Sequence, residues 1–393
     1  MLDKNNSLYF QNILEALKNE HLYRQLRLAD KAFQPMEEYS RSTITDFSSN
    51  DYLGLSKNEY LIQKLKDLLP SAISQCSSRL ISGNTSSIEY LETTLSKHRK
   101  TESSLVYPTG YMANLGVISC IAEKKAAVFS DELNHASIID ACRLSKATVY
   151  VFPHNNTIEL ERIILNSKQN MKIIITEGIF SMNGDFAKLD EIVRIAKRHN
   201  CILIVDDAHG DFVVGAQERK DYSGTPGLFD VEDEVDIHIS SLSKGLGCFG
   251  GYVSCPELIR NYLINKSRSF IFSSSLPDLL CKLAEYSISV AKKGFLQEKL
   301  NDNINYFQET ASKYNIPGLK IKKHSPIIPL VIGQEERTIT ISKKLEARGF
   351  YVHAIRYPTV KRYEGQLRIS LSSEHTFEQI SSLIENITLL LKQ

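Results

Sequence analysis

The chain has 393 residues, 42% apolar and 24% charged, with 47 basic against 46 acidic side chains and a formal net charge of +1. That length exceeds one compact core and suits two domains, or one large domain with an appendage. The balanced charge offers neither the basic excess of a nucleic-acid binder nor an acidic solvating tail.

An amphipathic helix is predicted over residues 8–30, where Leu14, Leu17, Leu22 and Leu26 fall at near-helical spacing. A turn-rich segment follows at Phe47–Gly54. Strands are predicted at Ser104–Tyr107, Ala127–Ser130, Thr148–Phe152, Lys172–Thr176, Cys201–Asp206, Asp236–Ser240 and Gly251–Cys255. Helical patterns fill most of the gaps between them. Continuous apolar strands alternating with helices indicate a mostly parallel sheet covered on both faces. Residues 277–312 read as a long helical connector. A smaller α+β unit comes after it, with strand Ile327–Ile332, helix 336–348, strands Tyr351–Ile355 and Leu367–Leu371, and helix 376–392. The expected domains are an N-terminal helical arm (1–50), a large domain (51–285) and a C-terminal small domain with its linking helix (286–393).

Seven cysteines, at 76, 120, 142, 201, 248, 255 and 281, form no CxxC pair and read as reduced thiols. The first residues lack a signal-peptide layout, and no apolar run reaches the ~20 residues that span a bilayer. A soluble cytoplasmic protein is the expectation.

Ligands in open α/β sheets bind at the carboxyl ends of strands. Chemically capable segments gather there. Lys244 stands in Ser241-Leu242-Ser243-Lys244-Gly245, just past a buried strand, among small residues that permit close approach of a ligand. Asp206-Asp207-Ala208-His209 ends another strand. Adjacent aspartates on an extended chain point to opposite sides, so only one faces a site. An amine and a carboxylate so placed match the needs of pyridoxal phosphate (PLP): a lysine for the Schiff base, and an aspartate that keeps the pyridine nitrogen protonated. A metal site using Asp206, His209 and His135 is the alternative from these residues, and it would make the protein a hydrolase.

Three further positions add to this pattern. Backbone N–H groups at Pro108-Thr109-Gly110-Tyr111, between a strand and a helix, can hold a phosphate. His135 opens a helix and can lie flat against a ring. Arg368, inside an apolar strand, needs a partner and has the fork geometry for a carboxylate, though an internal salt bridge would also serve. His154 reads as an ordinary polar surface group.

Taken together, these residues resemble the α-oxoamine synthase family of fold-type-I PLP enzymes, over nearly the whole chain. The specific stretches are Leu22–Arg27, Phe47–Gly54, Leu133–Asp140, Thr176–Asp185 and Val205–Gly210. The stretches Ala354–Val360 and Leu367–Thr376 are similar to the branch of biotin biosynthesis that condenses L-alanine with pimeloyl-CoA or a pimeloyl carrier protein. They fit that branch better than glycine C-acetyltransferase. Another α-oxoamine synthase, such as that enzyme or one joining serine or glycine to a different acyl group, stays as an alternative beside a non-catalytic PLP-binding subunit. The implied fold is a large α/β domain with a mostly parallel sheet plus a smaller α+β C-terminal domain.

The resemblance implies a role for each matching position. Lys244 binds the cofactor and moves protons, Asp206 pairs with its ring nitrogen, and His135 stacks on the ring. Ser181 and His209 contact the cofactor near its phenolic oxygen, and Gly110, Tyr111 and Ser241 cradle its phosphate. Ser274 reaches the phosphate of a neighbouring subunit, which implies a homodimer. Arg368 anchors the amino-acid carboxylate, and Arg27, Asn50 and Thr359 contact substrate. Departures from the family pattern are Ile88 in place of a histidine, a glycine-poor Gln75–Arg79, Asn183, Lys361 and a late Gly365. Those at 75–88 and 361–365 are expected to bear on acyl-chain recognition.

Overall fold

The computed structural model describes residues 3–26, 44–69, 73–216, 218 and 220–392. Its centre is a seven-stranded sheet made of β2 (Ser103–Tyr107), β3 (Ala126–Asp131), β4 (Thr148–Phe152), β5 (Met171–Glu177), β6 (Ile202–Asp206), β7 (Ile237–Ser241) and β8 (Gly251–Cys255). The strand order is β2-β8-β7-β6-β5-β3-β4, and only β8 runs antiparallel to its neighbours.

The strands read as continuous apolar runs because both faces are buried. Side chains alternate between two cores. Val128, Ile173, Ile175, Ile204 and Ile239 enter one, and Ala127, Phe129, Ile174, Leu203 and Val205 enter the other. Ile173, Ile174 and Ile175 are all fully buried, which stabilises the fold by about 1.5–3 kcal/mol for each side chain.

Helix Asp278–Ala291 and helix Phe295–Ser312 form the connector. It is two helices rather than one, because Gly294 takes a left-handed conformation (φ 84°) between them. The C-terminal sheet has the order β11-β12-β9, from β9 (Ile327–Gly333), β11 (His353–Ile355) and β12 (Gly365–Ser370), all antiparallel.

Two expectations are corrected. The first helix spans Lys4–Asn19, not 8–30. It starts early because the Asp3 carboxylate caps the Asn6 N–H, and the turn at His21 (φ 57°) lies just past its end. The predicted strand Tyr351–Ile355 is two short strands in different sheets. Its first part belongs to β10 (Phe350–Tyr351), which pairs with β1 (Thr45–Asp46) from the other end of the chain. No helix among the described residues is long and apolar enough to cross a membrane.

Candidate active site

β2, β3, β5, β6 and β7 run in the same direction, so their carboxyl ends share one edge of the sheet. Gly110, His135, Ser181, His209 and Lys244 each follow one of those ends within a few residues. Facing them, β12 supplies Arg368, and the segment after β1 supplies Asn50. A cavity of about 580 Å³ lies between, lined by Asn50, His135, Ser181, His209, Lys244 and Arg368 among others.

Lys244 Nζ lies 2.9 Å from His209 Nε2, and His209 Nδ1 lies 2.7 Å from the Tyr52 hydroxyl. Burial pulls the lysine amine below its ordinary range, against the attraction of Asp206 and Glu177, and the Arg368 charge acts with burial. Burial, with the charges of Lys244 and Arg368, holds His209 well below the usual imidazole range. A neutral His209 then accepts from Lys244 at Nε2 and donates from Nδ1 to Tyr52.

Asp206 and Asp207 point opposite ways, as adjacent residues on an extended chain must. Asp206 accepts from Asn114 Nδ2 at 2.5 Å and from the Ala208 N–H at 3.0 Å. Asn114 also donates to Ser137 Oγ at 2.9 Å, and Ser137 Oγ lies 2.8 Å from His135 Nδ1. One amide thus orients both the carboxylate and the imidazole. Burial lowers the His135 pKa, and the Ser137 N–H donates to Nδ1, so the ring is neutral with its proton on Nε2. Asp207 turns away, to Arg99 and Thr225.

Period-2 alternation explains Arg368. Leu367 and Ile369 enter the core, while Gln366, Arg368 and Ser370 take the opposite face of β12. The guanidinium donates to the Ser181 carbonyl (2.6 Å), Ser370 Oγ (2.8 Å) and the Tyr52 hydroxyl (3.3 Å). Every one of these partners is neutral, so the internal salt bridge left open by the sequence is not formed among the described residues. A buried cation held only by neutral groups and lining a cavity is a site for an anion.

Other expected residues lie elsewhere. Gly110 opens helix Gly110–Ile121, and a Cβ there would stand 3.3 Å from the Ser241 Cβ, so the two form one close-packed corner. Tyr111 is half-exposed, with its hydroxyl on Asp140 at 2.5 Å and its ring edge-on to His135. Ser274 lines a separate small cleft that includes Pro108 and Ile88, and it bridges to Ser78. Thr359 is exposed on the loop before β12 and does not line the cavity. Arg27 lies outside the described residues.

Three residues escaped the sequence reading. Tyr52 joins Arg368, His209 and Asn50 through one hydroxyl. Asn114 falls one helical turn after Gly110, a spacing that could have marked it. Glu177 is the cross-strand partner of Asp206, which only the strand register reveals. Burial and the Asp206 charge raise its carboxyl, and its Oε1 is buried without a hydrogen-bond partner among the described residues.

The cavity residues, with Asp206 and the Gly110–Ser241 corner next to them on the same sheet edge, fit PLP. A buried amine, a hydrogen-bonded carboxylate and a neutral imidazole converge, beside a helix start whose glycine permits close approach. Lys244 would hold the aldehyde carbon, Asp206 the ring nitrogen, His135 the ring face, and the Gly110–Tyr111 backbone with Ser241 the phosphate.

Comparison with known proteins agrees. Residues 42–387 match the family "Aminotransferase class I and II". An 8-amino-7-oxononanoate synthase from Citrifermentans bemidjiense is 37% identical over 385 residues, covering 96% of this chain and 97% of that protein. The structure of a serine palmitoyltransferase from S. paucimobilis with a bound PLP–myriocin aldimine superposes with a TM-score of 0.86 at 25% identity, over 99% of this chain and 98% of that one. An 8-amino-7-oxononanoate synthase structure from Francisella tularensis gives 0.76 at 28% identity, over 89% and 98%. The chain belongs to the aminotransferase class I and II family, in its α-oxoamine synthase group of PLP-dependent acyltransferases.

Proposed function

We propose that the protein condenses L-alanine with a pimeloyl thioester, releasing carbon dioxide and free thiol and forming 8-amino-7-oxononanoate for biotin synthesis. The observation that carries this reading is the pairing of Lys244 with Arg368 across one cavity. The lysine supplies a buried amine for the cofactor, and the arginine supplies an unmatched cation for a carboxylate. The high coverage of relatives named for this activity supports the choice of substrates.

When bound, PLP supplies an electron sink for the bonds broken at the α-carbon. The chain's own residues do the rest. Arg368 and Asn50 hold the amino acid by its carboxylate, Lys244 moves the α-proton, and Asp206 keeps the ring nitrogen charged. His209 holds the lysine amine in place for these steps.

The working form in this reading is a homodimer, in which Ser274 reaches the neighbouring subunit's phosphate site. Leu80, Ile81 and Phe272 are exposed, and the Ser78–Ser274 bridge joins their two segments, which supports a covered surface there. The test is thiol release from a matrix of amino acids against acyl thioesters of different lengths. Release confined to glycine with acetyl-CoA would assign the glycine C-acetyltransferase activity instead. Absence of release with every pair would reject the synthase reading.

A further inference from the structure

His154 lies just beyond β4, at the end of the sheet away from Lys244. Its Nδ1 lies 3.0 Å from Asp131 Oδ1 and its Nε2 lies 2.7 Å from Asp185 Oδ2. Carboxylates only accept, so both ring nitrogens must donate, and the ring is an imidazolium. Phe180 packs edge-on against it, with ring centroids 4.4 Å apart. The charged groups around the ring are Asp131 and Glu132 from the end of β3, and Asp185 from the turn after β5. Glu132 accepts the His154 backbone N–H. The other Asp185 oxygen, Oδ1, is buried and has no hydrogen-bond partner among the described residues.

The turn that carries Asp185 is also the one that holds β12. Its ends are tied by the Gly184 N–H to the Phe180 carbonyl and the Phe180 N–H to the Asp185 carbonyl. Between them, the Ser181 carbonyl accepts from Arg368 and the Met182 carbonyl accepts from Gln366. We propose that His154 is a positioning residue for the amino-acid substrate: its imidazolium pins the 180–185 turn to the end of β3, and the turn aims Arg368 into the cavity. This rests on the reading of Arg368 as the carboxylate anchor. Burial would lower the His154 pKa, but the hydrogen bonds the ring donates to Asp131 and Asp185 outweigh it and push the group up to about 9. The clip is closed at neutral pH and opens as pH rises through that value.

The experiment compares holoenzyme of the wild type, His154→Gln, Asp185→Asn and Arg368→Ala. Calorimetry gives the Kd for L-alanine without acyl donor, and kinetics give the KM for the acyl thioester, across pH 7–10. His154→Gln should weaken alanine binding about tenfold at pH 7.5 and leave the acyl KM within about twofold. The wild type should approach the variant above pH 9, and Asp185→Asn should shift that weakening to lower pH. Unchanged alanine affinity in His154→Gln, or equal weakening of both substrates, overturns the proposal. If His154→Gln does not fold, a wild-type pH profile in Asp185→Asn overturns it alone. Arg368→Ala separates the two readings. If that variant binds alanine normally, the anchor assignment is what fails.

Discussion

The Tyr52 hydroxyl lies 2.7 Å from Nδ1 of His209, and this one contact joins the two halves of the cavity. On one side, His209 meets Lys244. On the other, the same hydroxyl accepts from Arg368 and donates to Asn50 Oδ1 at 3.1 Å. The buried tyrosine therefore links Lys244, through His209, to Arg368 and Asn50, the groups assigned to the cofactor and to the amino acid in the proposed function.

Tyr52→Phe removes only that hydroxyl. The ring stays in the core, and the loss is about 1 kcal/mol of net hydrogen bonding, or roughly fivefold in the alanine KM. The acyl KM should hold. Steady-state kinetics with each substrate varied in turn checks the split, and an unchanged alanine KM would remove Tyr52 from the site.

Lys244→Ala should lower turnover by roughly 10⁴–10⁶-fold, the scale for losing an essential nucleophile. Its thermal unfolding midpoint should match the wild type, because the lysine serves the chemistry rather than the packing. Mass spectrometry after borohydride reduction should find a PLP adduct at position 244 of the wild type and none in the variant. A wild type without the adduct would end the cofactor assignment.

Arg368→Ala should weaken alanine binding by about 3–5 kcal/mol, the cost of removing one partner of a buried charge pair. Arg368→Lys should recover part of it, since an ammonium keeps the charge and loses the fork. The check is alanine affinity by calorimetry on holoenzyme.

His375 governs a separate response, to acid. Its Nδ1 accepts from the Ser372 N–H at 3.1 Å, its Nε2 donates to the Asp46 carbonyl at 3.0 Å, and the ring stacks on Phe47. Burial holds it down to about 4, despite the Asp46 carbonyl. Between pH 6.5 and 4 the unfolded chain binds the proton and the folded one does not, so stability falls as pH is lowered through that window. The full shift amounts to about 3 kcal/mol. Denaturant unfolding at pH 7 and pH 4 should show a smaller acid loss in His375→Gln than in the wild type. Equal losses would clear His375 of the effect.

Much of the architecture is legible in the amino-acid sequence. Thr148–Phe152 and Gly251–Cys255 have the bounds the sequence predicts, and the other strands of the seven-stranded sheet agree within one residue at each end. Strands buried on both faces leave a local signal in every residue. So did the lysine and the first aspartate, because a charged residue at the end of an apolar run is conspicuous. The split between β10 and β11 was not legible. It depends on capture of Phe350–Tyr351 by Thr45–Asp46, about 300 residues earlier, and nothing local records such a pairing.

The chain's own order of residues settled the strand periodicity, the placement of Lys244, Asp206 and His135 at strand ends, and the chemistry those groups can perform. Tertiary structure alone decided their neighbours. Glu177 meets Asp206 only through the register of β5 and β6, Tyr52 meets His209 across 157 positions, and His154 clips Asp131 to Asp185. The physical reason is range. Periodicity and turn chemistry act over a few residues, whereas hydrogen bonds and charges act on whatever the fold brings within about 3 Å.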